Sequence, residues 1–427
     1  LKKAGVDPYP VNTQRTHAIQ EALAQFETLS QNKTPVVLAG RVRSIRTHGK
    51  LTFGNVEDAS GTIQILLRED LLKEKFQEFN TWFDMGDFIQ AAGTLALSKS
   101  GEKTLEVSDF VLLSKSIRPV PQNYFGLKDL ETKLRKRYLD LLANPETKEL
   151  FRKKALFWQT IRNFLIQEGF LEVWTPVLEN ATGGADAEPF VTHHHALDRD
   201  FYMRISLELP LKRLLVGGFE KVFEIGRLFR NEGIDRDHLQ EYDDMEFYWA
   251  YSDYQQGMAL VEKLFKQIVQ AVAGQAETVY EGQAINWAGS WPRLDYFELF
   301  EKETGLDLNT ATDAQLRDKA QALKVKTEPG LGRGRLIDAI YKKTVRPKLI
   351  QPCFLVGHPL ETSPLAKKDP ANPKKILRFQ PIAVGAELGN GFSELNDPLD
   401  QRARFEEQMK MKAAGDKEAH MMDEDYV

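Results

Sequence analysis

Short apolar runs separated by turn residues follow one another between positions 36 and 113. The clearest turn is formed by Asp58-Ala59-Ser60-Gly61, and such a series is typical of strands joined by tight turns. The predicted elements are strands at 36–42, 51–56, 62–67, 87–95 and 104–113 and a helix at about 70–80. Five strands with one inserted helix predict an OB-fold barrel, whose exposed face commonly binds single-stranded nucleic acid.

Helical periodicity marks the start of a second region. Apolar residues recur at helical spacing at Phe151, Ala155, Trp158, Ile161 and Phe164. Gly169 suits the C-terminal cap of this helix, and a strand is predicted at 170–175. The later segments alternate strands and helices without regular βαβ repetition, which favours an α+β fold with an antiparallel sheet flanked by helices. The sequence contains neither GxGxxG nor GxxxxGK[ST], so a P-loop is excluded as the nucleotide site.

These patterns divide the chain into two domains. We expect an OB-fold domain at 1–118, with its barrel at about 36–115, and an α+β domain at 141–427. The intervening linker, 119–140, begins with Pro119 and Pro121 and continues into a charged segment.

Composition narrows the class of protein. Of the 427 residues, 42% are apolar and 28% are charged, as in a globular protein. No apolar run approaches the roughly 20 residues that span a bilayer, so we expect no membrane partner. The single cysteine, Cys353, excludes an internal disulfide and a cysteine-based zinc site, and we expect a cytoplasmic location. The net charge of −5 argues against indiscriminate coating of nucleic acid, although local patches can still bind it.

A strand–loop–strand segment at 222–251 carries the most informative polar residues. In its second strand Glu246 and Tyr248 alternate with apolar residues that share the other face, namely Met245, Phe247, Trp249 and Tyr251. We expect the apolar face to form core and Glu246 and Tyr248 to face a cleft. Arg230 ends the first strand and Glu232 begins the loop, and this set of residues suits a nucleotide, whose phosphate would pair with arginine.

A second segment, 387–394, repeats this arrangement. Asn390, Phe392 and Glu394 alternate onto one face, and Glu208 adds a further carboxylate at the start of a predicted helix. A buried acid is costly unless a cation accompanies it. The cation is a substrate ammonium, a metal ion or an arginine of the protein.

These motifs resemble those of the class II aminoacyl-tRNA synthetases, most closely the bacterial-type lysyl-tRNA synthetases, over nearly the whole chain. Residues 169–176 (GFLEVWTP) resemble motif 1, which builds the dimer interface in this family. Residues 229–246, beginning FRNEG, resemble motif 2, and GNGFSELND follows at 389–397. The resemblance implies ATP-dependent ligation of L-lysine to tRNA(Lys) through a lysyl-adenylate, by a homodimer that uses Mg²⁺.

The resemblance also implies residue roles. Arg230 would contact the ATP α-phosphate and the substrate carboxylate, His238 would lie near the outer phosphates, and Tyr242 would stack on adenine. Glu232 is implied, together with Arg230 and His238, as a catalytic and ATP-binding residue. The implied lysine-binding residues are Gly184, Glu208, Glu246, Tyr248, Asn390, Phe392 and Glu394.

Magnesium and anticodon contacts follow from the same resemblance. Glu387, with Glu394 as a weaker ligand, would bind Mg²⁺. Gln380 stands where the family has another acidic ligand, and an amide binds Mg²⁺ more weakly than a carboxylate. In the barrel, Phe53, Gln64 and Glu102 match the family's anticodon contacts, and the alternative for Phe53 is a place in the barrel core.

The family's motif 3 is not found in this sequence, so we expect the catalytic domain to be incomplete at the C-terminus and lysine activation to be weak. Two other functions stay open. One is a catalytically impaired, synthetase-like protein that binds RNA. The other is a synthetase-like enzyme that transfers lysine to a protein, an alternative against which the predicted barrel counts.

Overall fold

The computed structural model describes residues 1–118, 128–185, 187–233, 238–325, 332–413 and 421–427. It divides the chain into two compact units, Leu1–Leu150 and Phe151–Val427. The predicted linker at 119–140 falls partly outside the described residues, and its described part is largely helical. The second unit begins ten residues after the predicted start at 141, and the first unit extends past the predicted end at 118 to include the linker, so the predicted domain limits stay a prediction.

Among its described residues the first unit contains five strands and six complete α-helices, besides a short 3-10 helix at Lys2–Ala4. The strands are β1 (Val36–His48), β2 (Leu51–Glu57), β3 (Thr62–Arg68), β4 (Phe88–Leu97) and β5 (Lys103–Ser114). The helices are α1 (Ile19–Ala24), α2 (Phe26–Gln31), α3 (Glu69–Leu72), α4 (Glu74–Trp82), α5 (Leu130–Arg135) and α6 (Arg137–Ala143).

The five strands close into a barrel in the order β1-β2-β3-β5-β4, which confirms the predicted OB-fold. Burial alternates along β1 and β2, because inward side chains fill the barrel and outward ones meet solvent. Gly93 lies at a register shift between β4 and β5, where a Cβ would come within 1.9 Å of the Glu106 carbonyl oxygen. Glycine is required there because any side chain would force the two strands apart.

The second unit alternates strands and helices, and α7 (Pro145–Gln167) leads into it from the first. Its strands are β6 (Leu171–Glu172), β7 (Leu178–Glu179), β8 (Val191–His194), β9 (Arg199–Met203), β10 (Lys221–Phe229), β11 (Glu241–Trp249), β12 (Glu277–Tyr280), β13 (Gln283–Asn286), β14 (Arg293–Asp295), β15 (Cys353–Val356), β16 (Arg378–Ala383), β17 (Ala386–Glu387) and β18 (Gly391–Phe392). Its remaining helices are α8 (Glu208–Val216), α9 (Tyr254–Ala273), α10 (Tyr296–Thr304), α11 (Asp313–Ala322), α12 (Arg333–Thr344) and α13 (Pro398–Ala413).

Two sheets of the second unit position the candidate site. One has the order β11-β10-β6, and the other has the order β14-β15-β16-β17 with β18 paired to β16. Most pairs within these sheets are antiparallel, with β6 and β14 each joined to a neighbour in parallel. The predicted α+β fold is therefore confirmed.

The β10–β11 hairpin packs one face against α7 and α9. Phe223 is buried there, and Met245, Phe247 and Trp249 pack against the same cluster, as predicted. The prediction for Tyr251 was wrong: β11 ends at Trp249, and Tyr251 follows with φ +61° and 92% exposure. The left-handed turn at Tyr251 breaks the alternation on which that prediction relied.

No helix within the described ranges is long and apolar enough to cross a membrane.

Candidate active site and nucleic-acid interface

Helix α8 covers the polar face of the β10–β11 hairpin. Leu207 and Leu211 pack on Val222 and Leu228 in a small apolar cluster. In the hairpin, Val222 lies opposite Tyr248 and Glu224 lies opposite Glu246, so these four side chains share one face. The cluster therefore sets the first turn of α8 beside Glu246 and Tyr248.

Glu246 is held by three donors at the base of this cleft. Ser206 Oγ donates to Glu246 Oε1 at 2.9 Å, and the Leu207 N–H donates to the same oxygen at 2.8 Å. The Tyr248 hydroxyl donates to Oε2 at 2.9 Å. Burial, assisted by the neighbouring carboxylates of Asp244 and Glu208, raises the pKa of Glu246 to about 7.

Lys212 of α8 places a buried ammonium group close to Tyr248, which bonds to Glu246. Its Nζ donates to Glu208 Oε1 at 2.6 Å and forms an ion pair with Glu394. The ammonium lies 5.4 Å from the centre of the Phe392 ring and 5.9 Å from that of Tyr248. Burial lowers the pKa of Lys212, but the carboxylates of Glu208 and Glu394 outweigh burial and hold it above its ordinary value.

Glu394 and Phe392 arrive from a third segment. Phe392 belongs to β18 and packs with Leu209 of α8, while Glu394 forms a β-bridge with Ala366. About a third of the Glu394 side chain is exposed to solvent. Burial of the rest raises the pKa of Glu394 to about 8, although Lys212 opposes this shift.

Gly184 lies against the start of α8. Its φ is +89°, and a Cβ at this position would come within 2.8 Å of both Glu208 Cβ and Ser206 Oγ. Only glycine lets the backbone approach so closely. The structure therefore brings together six of the seven predicted lysine-binding residues: Gly184, Glu208, Glu246, Tyr248, Phe392 and Glu394. The seventh, Asn390, is exposed, and its Oδ1 accepts a hydrogen bond from Arg378 Nε at 2.5 Å.

Arg230 and Tyr242 form the neighbouring part of the hairpin. The Arg230 guanidinium lies 5.4 Å from the centre of the Tyr242 ring, and its Nε donates to the Ile205 carbonyl at 3.3 Å. Burial raises the pKa of the Tyr242 phenol to about 12. Glu232 is half-buried and His238 is exposed, on either side of loop residues that lie outside the described ranges.

The three residues predicted to bind Mg²⁺ do not converge. Gln380 is buried with its Oε1 3.0 Å from His358 Nε2, Glu387 is exposed on β17, and Glu394 is paired with Lys212. Within the described part of the chain, no three His, Cys, Asp or Glu side chains are grouped to hold a metal ion. These residues therefore do not fit a formed magnesium site, and no chemical step is assigned to the metal.

The predicted anticodon residues share the outer face of the barrel. Phe53 is half-buried and lies opposite Leu66, on the side of β2 away from the buried residues Thr52 and Gly54. Gln64 Nε2 donates to Glu102 Oε2 at 2.7 Å, and Thr104 Oγ1 donates to Gln64 Oε1 at 2.9 Å. The structure thus places Phe53 outside the barrel core and Gln64 and Glu102 in one hydrogen-bonded group.

The region resembling motif 1 is short and partly exposed. Trp174 is 78% exposed and Leu171 of β6 is 49% exposed. The adjacent Thr175 N–H and hydroxyl donate to Glu224, which also pairs with Arg204 at 2.7 Å. This buried pair anchors the region to β10, while Trp174 and Leu171 remain at the surface.

Lys212 and Ser206 were not predicted from the sequence as residues of this site. The signal for Lys212 was present, because Glu208 and Lys212 are four residues apart and so face each other on a helix. Ser206 gave no comparable signal, since its contact with Glu246 depends on how α8 lies on the hairpin.

Comparison with known proteins gives the family. The sequence model for "tRNA synthetases class II (D, K and N)" matches residues 129–427. The chain belongs to this family. The model for an "OB-fold nucleic acid binding domain" matches residues 36–113, which correspond to the barrel.

Curated relatives match over the whole chain. Proteins named lysine–tRNA ligase from Roseiflexus castenholzii and Moorella thermoacetica are each 45% identical to it. A lysine–tRNA ligase from Chloroflexus aurantiacus is 44% identical. In each case the match covers 100% of this chain, and it covers 88%, 87% and 88% of the respective relatives. The protein is therefore an enzyme of the class II aminoacyl-tRNA synthetase family.

Proposed function

We propose that this protein ligates L-lysine to tRNA(Lys), using ATP and forming a lysyl-adenylate intermediate. Members of the family use aspartate, lysine or asparagine as the amino-acid substrate, so the residues of the pocket have to distinguish these three. The charge of the pocket is the observation that favours lysine. Glu208, Glu246 and Glu394 meet there, and Lys212 pairs with Glu208 and Glu394.

This excess of negative charge favours a substrate whose side chain is a cation. An aspartate carboxylate would be repelled by the three acids, and an asparagine amide would leave them uncompensated. The ε-ammonium of lysine would pair with Glu394 near Tyr248, with Phe392 against its methylene chain. Its α-ammonium would pair with Glu208 beside Gly184.

The reaction itself needs no nucleophile from the protein. The lysine carboxylate attacks the ATP α-phosphorus, forming the acyl–phosphate bond and breaking the bond to pyrophosphate. A ribose hydroxyl at the end of the tRNA then attacks the acyl carbon and AMP leaves. Arg230 would neutralise charge that develops at the α-phosphate, and Tyr242 would stack on adenine.

Other parts of the proposal rest on exposed surfaces. Phe53, with the Gln64–Glu102 pair, would read the anticodon by stacking and hydrogen bonding. The apolar residues around Trp174 would form the interface of a homodimer. Glu232 and His238 would act near the outer phosphates of ATP. Mg²⁺ would accompany ATP, and a cytoplasmic location suits a tRNA-charging enzyme.

The deciding experiment is amino-acid-dependent ATP–pyrophosphate exchange with the purified full-length protein. We expect exchange with L-lysine and none with L-aspartate or L-asparagine. Exchange with either of those amino acids would show that the pocket has been assigned wrongly. A folded protein that binds tRNA(Lys) without any exchange would instead be the impaired RNA-binding protein. Lysine transfer that ignores tRNA and labels a protein would identify a protein lysyltransferase.

A further inference from the structure

Lys212 is a buried cation for which the proposed reaction has no use. It lies in the second turn of α8 and is 7% exposed. Its ammonium contacts one carboxylate from its own helix, Glu208, and one from a distant segment, Glu394. In the proposed function these two carboxylates bind opposite ends of the substrate.

One ammonium bonded to both carboxylates limits how far apart they can move. Glu208 is held in place by the helix, and its backbone N–H donates a hydrogen bond to Ser206 Oγ at 3.1 Å. Glu394 lies outside the strands of its sheet and is attached there through the bridge to Ala366. Without Lys212 the two acids would repel each other, and the Glu394 side chain would be the one to move, because about a third of it is exposed whereas Glu208 is buried.

Charge balance indicates that Lys212 stays in place when the substrate binds. The occupied pocket would contain five acidic groups, namely Glu208, Glu246, Glu394, the neighbouring Asp244 and the substrate carboxylate. It would also contain four positive groups, namely Lys212, Arg230 and the two substrate ammonium groups. Expelling Lys212 would leave one more buried carboxylate uncompensated, which is the costly arrangement.

We propose that Lys212 is a positioning residue that fixes the spacing between Glu208 and Glu394, and that this spacing makes the pocket select L-lysine over a shorter diamino acid. The inference rests on the proposed function. L-Ornithine carries the same two ammonium groups on a chain one methylene shorter. A single methylene supports roughly 10- to 200-fold discrimination when the pocket cannot adapt to its loss. A pocket with a mobile Glu394 can follow the shorter chain and loses that discrimination.

The test is equilibrium binding of L-lysine and L-ornithine by calorimetry, using the full-length protein and its Lys212→Met variant. Methionine keeps much of the apolar stem and removes the charge. We expect L-lysine affinity to fall at least about tenfold and the lysine-to-ornithine affinity ratio to fall at least about fivefold. In pyrophosphate exchange the KM for lysine rises more than kcat falls, and the KM for ATP stays within about twofold of wild type.

Arg213→Met is the matched control. Arg213 is the next residue of α8 and pairs with Asp423 and Asp425, so its loss removes the same charge from the helix while both partners of Lys212, Glu208 and Glu394, are kept. We expect its lysine-to-ornithine ratio to equal that of wild type. Equal weakening of both ligands in Lys212→Met, with an unchanged ratio, would show that Lys212 is only a structural counter-ion.

Lys212→Arg keeps the test decisive if the methionine variant does not fold. Arginine retains a buried cation, but its broader head group spaces the two carboxylates differently. We expect this variant to bind L-lysine, with a lysine-to-ornithine affinity ratio that differs from that of wild type by more than about threefold. A wild-type ratio in Lys212→Arg would overturn the inference while leaving the proposed function intact. A wild-type protein that binds neither amino acid would instead defeat the proposed function, and this inference with it.

Discussion

Replacing Glu394 by glutamine removes the negative charge proposed to bind the ε-ammonium of lysine. The amide has nearly the same shape, so Phe392 and the bridge to Ala366 have no reason to move. Lys212 keeps its 2.6 Å contact with Glu208, so the variant does not leave that buried cation without a partner. The change is therefore confined to the charge that the substrate meets.

The expected loss follows from the kind of interaction removed. Truncating one partner of a buried, hydrogen-bonded charge pair costs about 2–5 kcal/mol. Because about a third of Glu394 is exposed to solvent, the lower part of that range applies, about 2–3 kcal/mol. At 1.4 kcal/mol per factor of ten, this corresponds to a roughly 30- to 150-fold higher lysine KM.

The assay is lysine-dependent pyrophosphate exchange, with the KM for lysine and for ATP measured separately. We expect the KM for ATP to stay close to wild type, because Arg230 and Tyr242, the residues proposed to bind ATP, contact each other and the Ile205 carbonyl in another part of the hairpin. Glu424→Gln supplies the matched control, since Glu424 pairs with Arg402 at the surface. A lysine KM that is unchanged in Glu394→Gln, or one that rises together with that of ATP, would remove Glu394 from the lysine pocket.

The other predictions concern pH, RNA and stability. Because the pKa of Glu246 is raised to about 7 and that of Glu394 to about 8, both acids take up protons as the pH falls through this range. The affinity for lysine should then fall as the pH is lowered, by up to about tenfold per pH unit for each carboxylate that becomes protonated. A lysine KM that does not change between about pH 6 and 8.5 would contradict this expectation. Phe53→Ala should raise the KM for tRNA(Lys) about 5- to 150-fold in aminoacylation, from the loss of roughly 1–3 kcal/mol of stacking, with pyrophosphate exchange unchanged. Altered exchange would mean that Phe53 has a structural role. Glu224→Gln should lower the free energy of unfolding by about 3–5 kcal/mol in urea titrations, because the buried Arg204 guanidinium loses the carboxylate that balances its charge. An unfolding transition like that of wild type would refute the importance of this ion pair.

The sequence predicted the barrel and the hairpin well because both depend on local alternation. Met245, Phe247 and Trp249 alternate with polar residues, and a half-buried strand is the arrangement that buries one set and exposes the other. The same rule failed at Tyr251, since a strand's end depends on backbone turns that alternation does not record.

The pocket was harder to predict from residues alone. Alternation placed Glu246, Tyr248 and Glu394 on polar faces, but only the resemblance to a family joined them into one site. Lys212 was missed because its second partner, Glu394, is remote in the sequence and reaches it only through tertiary folding.

The Gln380 side chain illustrates a further limit. Its place in the sequence suggests a metal ligand, whereas its amide is buried against His358. Burial lowers the pKa of His358 to about 3, so the imidazole stays neutral and can share a hydrogen bond with the amide. Neither the burial nor the pairing could be derived from the spacing of these residues.

The three acids of the proposed lysine pocket come from separate stretches of chain: Glu208 from the start of α8, Glu246 from the strand β11 and Glu394 from the segment that follows β18. A substrate bonded to all three would act as a reversible cross-link between parts of the unit that are far apart in sequence. Ligand present at 100 times its Kd stabilises a folded protein by about 2.7 kcal/mol. L-Lysine would therefore protect the segment around Glu394 from proteolysis, so that the abundance of the substrate would help to determine how long the folded enzyme survives.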